Sequence, residues 1–405
     1  VRRVQRQPSA DLSSVRTLLS RTILGRPHGN RSTAPLAPIA RVIDARSQRD
    51  LRVFRAMQEG RIPAVEGMQI VALSGGWPIR TDNGFLFAAP IGDHGELALA
   101  GDFNDWNHAR MERNDRLFWF HLPAKDEGTI PYKLVEGGRY FADPWARRYD
   151  FDENGEMSFA KTTKAHLERW PLKGEGDLAQ RTVRVRVPSN VPTHHLYVHD
   201  GQNLFDPQGP YGGWRLQHAL GDSTLAIGID TTDRRFDELT WITDFVEGRE
   251  VGGNGDAYAR FIFDKIRPFI EREYGVPKKR GVLGSSLGGL MAYHQLLRDP
   301  DAFDFVASMS GTFGWGRRIG AQARMKDRCA TFGPNDTRAI LYLDSGGSPG
   351  RDNYTPTLEL KDLLVQNGFE EGARLFYEHA QDAPHNEWAW AERVRTPISI
   401  FESLC

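Results

Sequence analysis

The sequence predicts two folded parts in series: an all-β sandwich of about 100 residues, then a mostly parallel sheet covered by helices on both faces. Three observations predict this. From Met68 to about Ala160, short alternating runs are broken by Gly, Asp and Asn, the pattern of strands and turns. Beyond Gln180, strand-like runs alternate with helical ones, as a parallel sheet with crossover helices requires. The chain has 405 residues, enough for two or three domains with a sizeable core.

The elements follow in order. Residues 1–65 read as a basic N-terminal arm, partly helical around 11–24 and 47–59, with arginines scattered among Ser, Pro and Ala. The sandwich is expected over 66–163, with strands near 95–101, 117–122 and 130–135. Residues 164–180 are polar and read as a linker, and 181–405 as the second domain. There, strands are expected at 182–187, 196–199, 224–229, 281–283, 305–309, 339–343 and 375–377. Apolar residues at helical spacing predict helices over 256–274, 287–297, 358–366 and 388–394.

Composition narrows the function. Lys plus Arg total 52 against 53 Asp plus Glu, so there is no basic surplus of the kind that nucleic-acid or anionic-membrane binders carry. No apolar run reaches the ~20 residues that cross a bilayer. Two cysteines, Cys329 and Cys405, rule out a disulfide scaffold and a multi-cysteine metal site; pairing between them and two free thiols are equally compatible with the sequence. The chain opens on Val1 rather than Met, giving the expectation of a processed, secreted or periplasmic protein.

The sharpest chemical signal is Gly284-Ser285-Ser286-Leu287-Gly288, between a short apolar run and a helix. A tight strand-to-helix turn projects a central serine hydroxyl, here Ser286, above a sheet, and the free N–H groups at the helix start suit a forming oxyanion. Serine needs a base to take its proton. Of the histidines after Ser286, His294 lies two turns into the helix, His379 ends a strand-like run, and His385 occupies a loop before the last helices, where it can reach the serine. His385 is the expected base. The acid that orients it is expected to be Asp352 in a Gly-rich loop, with Asp344 at the preceding strand end as the alternative. A second oxyanion donor is expected after an early strand, at His199-Asp200-Gly201-Gln202, so the N–H groups of Gln202 and Leu287 are the oxyanion-hole candidates. Gly201 is expected to let that backbone turn sharply.

Together, Tyr197-Val-His-Asp-Gly-Gln-Asn-Leu-Phe-Asp206, Gly213-Trp214, Gly284 to Gly289, the Gly-rich acid loop and His385-Asn-Glu-Trp388 resemble the esterase D family of α/β-hydrolases, which includes enterochelin and feruloyl esterases and mycolyltransferases. The resemblance covers roughly residues 180–403 and departs from the family pattern by an apparent insertion at 348–351 in the acid loop. It implies an α/β hydrolase fold and a Ser-Asp-His triad. The middle region, Leu97-Ala-Leu-Ala-Gly-Asp-Phe-Asn-Asp-Trp106 with Tyr140-Phe-Ala-Asp-Pro-Trp145, is similar to the immunoglobulin-like glycogen-binding modules that precede amylase-type enzymes. That similarity implies an N-terminal immunoglobulin-like sandwich in which Trp106 or Trp119 stacks on sugars, or which serves as a spacer.

The expected function is a serine carboxylic ester hydrolase acting on a bulky small-molecule or saccharide ester: a siderophore lactone, an aryl ester or an acylated saccharide. An acyltransferase of the mycolyltransferase type and a noncatalytic glycan-binding protein are the alternatives. Gly201, Trp214, Arg215, Tyr354 and Trp106 are the candidates for substrate contact, with Arg234, Arg235 and Arg351 as further cations for a negatively charged substrate. No cofactor or metal is implied, and no nucleic-acid partner.

Overall fold

The computed structural model describes residues 44–124, 128–316, 324–348 and 351–405. The helix expected at 11–24 lies outside them. Two helices come first, α1 (Ala45–Gln58) and α2 (Ala64–Ala72). The Asp44 carboxylate caps α1 by accepting from the N–H groups of Arg46 and Ser47. Ten strands follow: β1 (Ile79–Arg80), β2 (Gly84–Pro90), β3 (Ala98–Gly101), β4 (Ala109–Arg110), β5 (Glu112–Arg113), β6 (Leu117–Pro123), β7 (Ile130–Glu136), β8 (Arg139–Phe141), β9 (Arg148–Asp152) and β10 (Gly155–Lys161).

These strands make two layers. One is a four-stranded sheet in the order β1-β2-β6-β5; the other belongs to a 14-stranded sheet that runs on into the rest of the chain. Phe85, Phe87, Phe118, Leu99, Tyr132 and Leu134 from both layers share one core. Helices α1 and α2 cover the outer face of the small sheet through Val53, Phe54, Met57 and Met68 against Leu86, Ala88 and Leu117. Strand β2 is therefore buried on both faces, which explains why its sequence, Gly-Phe-Leu-Phe-Ala-Ala-Pro, does not alternate. Trp119, a candidate sugar platform, instead packs edge-on against Phe54 of α1, 6.4 Å between ring centres.

The expected linker is not a tether. Within it, β11 (His166–Leu172) pairs along its full length with β12 (Arg181–Val187) and, through Leu167 and Glu168, with β9. Its polar residues misled the reading because they are used inward. Glu168 accepts from the Tyr274 hydroxyl at 2.6 Å and lies 3.3 Å from the Arg148 guanidinium. Arg147, also buried at this joint, donates to carbonyls of Ala72 and Arg169 and lies 3.3 Å from the centre of the Trp170 ring.

The C-terminal half adds β13 (His194–His199), β14 (Thr224–Ile229), a small β15 (Thr243–Val246) and β16 (Arg249–Gly252) hairpin, β17 (Lys279–Ser285), β18 (Phe305–Met309), β19 (Ile340–Gly347) and β20 (Leu375–Gln381). The order is β12-β14-β13-β17-β18-β19-β20, parallel from β14 onward with β12 antiparallel. The longer helices are α3 (255–274, with a wide π turn at Ile262–Ile266), α4 (Leu287–Arg298), α5 (Tyr354–Gln366), α6 (Glu387–Arg393) and α7 (Arg395–Glu402). One apolar cluster joins α3, α4 and α5 to the sheet, and a second joins α6 and α7. Among the described residues no helix is long and apolar enough to cross a membrane. Cys329, buried, and Cys405, exposed, are both free thiols, which decides the pairing that the sequence left open.

Candidate active site

Strand β17 ends at Ser285 and α4 begins at Leu287, leaving Ser286 alone to make the turn. Its backbone stands at φ 54 and ψ −122, a strained conformation for a residue with a side chain. Glycine is needed on both sides for space. A Cβ at Gly284 would sit 2.3 Å from the Gly288 carbonyl carbon, and one at Gly288 would sit 3.0 Å from His199 Cβ. The turn thus packs tightly against the loop after β13.

The Ser286 hydroxyl lies 3.0 Å from His385 Nε2 and 3.2 Å from Thr312 Oγ1. The other ring nitrogen of His385, Nδ1, pairs with Asp352 Oδ1. The Asp352 side chain is buried, and its second oxygen accepts from the Ser310 hydroxyl at 2.8 Å and from the Gly346 N–H. The His385 ring stands edge-on to Trp390 of α6, 5.0 Å between centres. A hydroxyl, an imidazole and a carboxylate in this chain can pass the serine proton to the ring while the carboxylate holds the tautomer.

The alternative acid is engaged elsewhere. Asp344 is fully buried and receives Arg393 on both oxygens, at 3.0 and 3.1 Å, and the Ser310 N–H at 2.9 Å. Of the other histidines, His379 Nε2 meets the Gly347 carbonyl at 3.0 Å. His294 stacks on Trp241 and pairs with Asp256; burial, aided by Arg328, pushes it down to about 4. His199 is likewise held near 4 by burial, between the Tyr258 hydroxyl and Gln295.

The oxyanion candidates lie on adjoining elements. Leu287 is the first residue of α4, so its N–H has no carbonyl one turn earlier. The Gln202 side chain is tied to Thr231, accepting its N–H at 3.0 Å and donating to its hydroxyl at 3.1 Å. The expectation for Gly201 is corrected: the sharp residue is Asp200, at φ 59, and Gly201 is required because a Cβ there would sit 2.5 Å from Gly228. Asp200 is fixed by a forked pair with Arg235, at 2.7 and 2.8 Å.

Beyond Thr312 opens a cavity of about 460 Å³, lined in part by Phe245, Trp315, Arg324, Arg351 and Tyr354. Of the substrate-contact candidates, Tyr354 and Arg351 line it. Trp214 is buried, with its ring centre 6.0 Å from that of Trp390. Arg215 is exposed and donates to Gly212 of its own loop; Trp106 lies in the front half, its indole N–H donating to Asp102 at 2.8 Å. Arg234 is paired with Asp237. Among the described residues no group of three or more His, Cys, Asp or Glu side chains could hold a metal ion. Ser310, Thr312, Trp390 and Arg393 escaped the sequence reading. The short Ser-Gly-Thr segment directly after the apolar run 305–309 was the signal for the first two.

With this geometry, the comparison with known families has a clear outcome: the Esterase family matches residues 179–395. The chain belongs to the Esterase family. Membership carries the reaction class, carboxylic ester hydrolysis, and the α/β hydrolase arrangement of the C-terminal half. The esterase is 28% identical to the Bacillus subtilis uncharacterised protein YbbA over 189 residues, 44% of this chain and 72% of the relative. It is 31% identical to a siderophore enterobactin esterase of Emericella nidulans over 144 residues, covering 30% of this chain and less than half, 47%, of that protein. Among solved structures, the Shigella flexneri enterobactin esterase FES aligns with a TM-score of 0.46 at 15% identity, covering 79% of this chain and 94% of that one.

Proposed function

We propose that this esterase is a serine hydrolase in which Ser286 is the nucleophile, His385 the general base and acid, and Asp352 the carboxylate that orients His385. The observation that carries the reading is the unbroken contact from Ser286 Oγ through His385 to Asp352. Ser286 Oγ attacks the ester carbonyl carbon as its proton passes to Nε2. The oxyanion rests on the N–H groups of Leu287 and Gln202. Collapse breaks the bond to the alcohol oxygen, which leaves with the proton from Nε2. Water then adds to the acyl-enzyme by the same route and releases the acid.

For substrate, we infer a bulky ester with an aromatic part. Phe245, Trp315 and Tyr354 offer flat apolar faces in the cavity beside Thr312, whose charged lining, Arg324 and Arg351 with Asp244 and Glu359, is balanced. A siderophore ester meets this description, and the likeness to a siderophore enterobactin esterase supports it. The front layers, over 66–163, are inferred to be an immunoglobulin-like module acting as a scaffold. If Trp106 binds glycan, the protein will be retarded on glycogen gels and Trp106→Ala will not.

The deciding test is fluorophosphonate labelling with the adduct mapped by mass spectrometry, followed by hydrolysis of an ester panel. A single adduct at Ser286, lost in His385→Ala, is expected. An adduct elsewhere, or none on folded protein, would reject the assignment.

A further inference from the structure

We propose that Ser310, Arg393 and Asp344 form a buried positioning relay that fixes the Asp352 carboxylate and, through it, the His385 ring. The inference rests on the catalytic reading above. Arginine only donates, so Ser310 Oγ accepts from Arg393 Nη2 at 2.7 Å, and its single proton is left for Asp352 Oδ2 at 2.8 Å. With the Gly346 N–H also on Oδ2, that oxygen is occupied and Oδ1 is the one turned to His385.

Arg393 is itself buried and held at several atoms. It forks onto Asp344, and its Nη1 donates to the Ala389 carbonyl at 2.9 Å. Arg393 is the last residue of α6, the helix whose capping residue, Asn386, directly follows His385. One guanidinium therefore anchors the helix next to the base and, through Ser310, the acid on a separate loop. Ser310 stands at φ 49, and a buried ion pair can often be replaced by apolar residues without loss of stability. A structural role alone gives no reason for either feature; orienting a carboxylate does.

The pair is neutral as a whole, so removing either member places one net charge behind Asp352. Other charged or titratable groups face this region: Tyr342 of β19, Tyr377 and Glu378 of β20 and, across Tyr377, Tyr354 and Lys361 of α5. Tyr342 bridges Asp344 and Glu378 at 3.3 and 3.1 Å. These groups are the same in each variant, so the sign of the change belongs to the relay.

The test follows the second-order rate of fluorophosphonate labelling at Ser286 against pH in the full chain; the acid limb reports protonation of His385. Asp344→Asn leaves Arg393 uncompensated, disfavours imidazolium and should move the limb down by about half a pH unit or more. Arg393→Gln leaves Asp344 negative and should move it up by a similar amount. Ser310→Ala should lower the plateau rate about tenfold, and Ser310→Gly, which relieves the backbone, should lower it as much. A purely structural role predicts lower melting temperatures with no opposed shifts. Folded charge variants with wild-type limbs, or a Ser310→Ala plateau equal to wild type, overturn the relay. If neither charge variant folds, the two Ser310 plateaus decide. A wild type that does not label at Ser286 overturns the catalytic reading and the relay with it, whereas a labelling wild type beside unmoved variants sinks the relay only.

Discussion

In the C-terminal half, Asp200, Ser286 and Ser310 each carry a positive φ and each is the first residue after a parallel strand; Asp352, also positive, follows β19 by five positions. In the front half, Gly137 and Gly138 make the left-handed turn between β7 and β8, and Asp105 and Trp106 make the one before β4. Both halves use positive φ, but toward different ends. In the front it reverses a hairpin, largely with glycine, at little cost. In the rear it also falls on Asp200, Ser286, Ser310 and Asp352, residues with side chains gathered around the Ser286 turn, at about 1–3 kcal/mol each. Parallel strands deliver several chain turns to a single sheet edge, so local strain there can be spent on aiming side chains.

That contrast can be broken or sharpened by substitution. The largest effect is expected for Ser286→Ala, which should reduce ester hydrolysis by roughly 10⁴-fold or more while circular dichroism stays unchanged. Asp352→Asn should follow, lowering kcat by about 10²–10⁴-fold with KM little altered, as steady-state kinetics on a reactive aryl ester will show. A pair of glycine changes separates close packing at the rear turn from positive φ at a front hairpin. Gly284→Ala pushes a methyl into the Gly288 backbone and should cost roughly 3 kcal/mol in urea unfolding, whereas Gly137→Ala, with nothing within 4 Å, should cost only about 1 kcal/mol for its positive φ.

The smallest effect concerns pH at the joint between the halves. Burial works against the Glu168 charge, but His166, Arg148 and Arg147 hold its carboxyl down to about 2. A carboxyl lowered on folding stabilises the protein above its unfolded value, near 4.3. That contribution should fade as pH drops from there toward about 2. Melting temperatures measured across this window should fall less steeply in Glu168→Gln than in the wild type.

Some of this was legible in the residues and some was not. The turn at Ser286 is readable because the glycine spacing, the apolar strand before it and the helix after it are all local. The long reach from Ser286 to Asp352 and His385 came from chain order and family resemblance. Asp344 and Asp352 could not be separated by sequence, because the difference is made by Arg393, far along the chain, which occupies Asp344. Trp214 stood among the substrate-contact candidates because nothing local shows that Trp390 packs against it. Strand β11 was hidden for the opposite reason: His166, Glu168 and Arg169 look like linker residues until Tyr274, Arg148 and Glu156 are seen to meet them.

The continuous pairing through β11 has a consequence for anyone who would separate or exchange the front half. A cut at residue 180 would strip β11 from β12 and leave the N–H and C=O groups of Arg181–Val187 open along one side. Such an open border recruits other chains, so the shortened esterase should precipitate or self-associate. A replacement module would have to donate a strand of its own, in register with β12, to keep the remainder monodisperse.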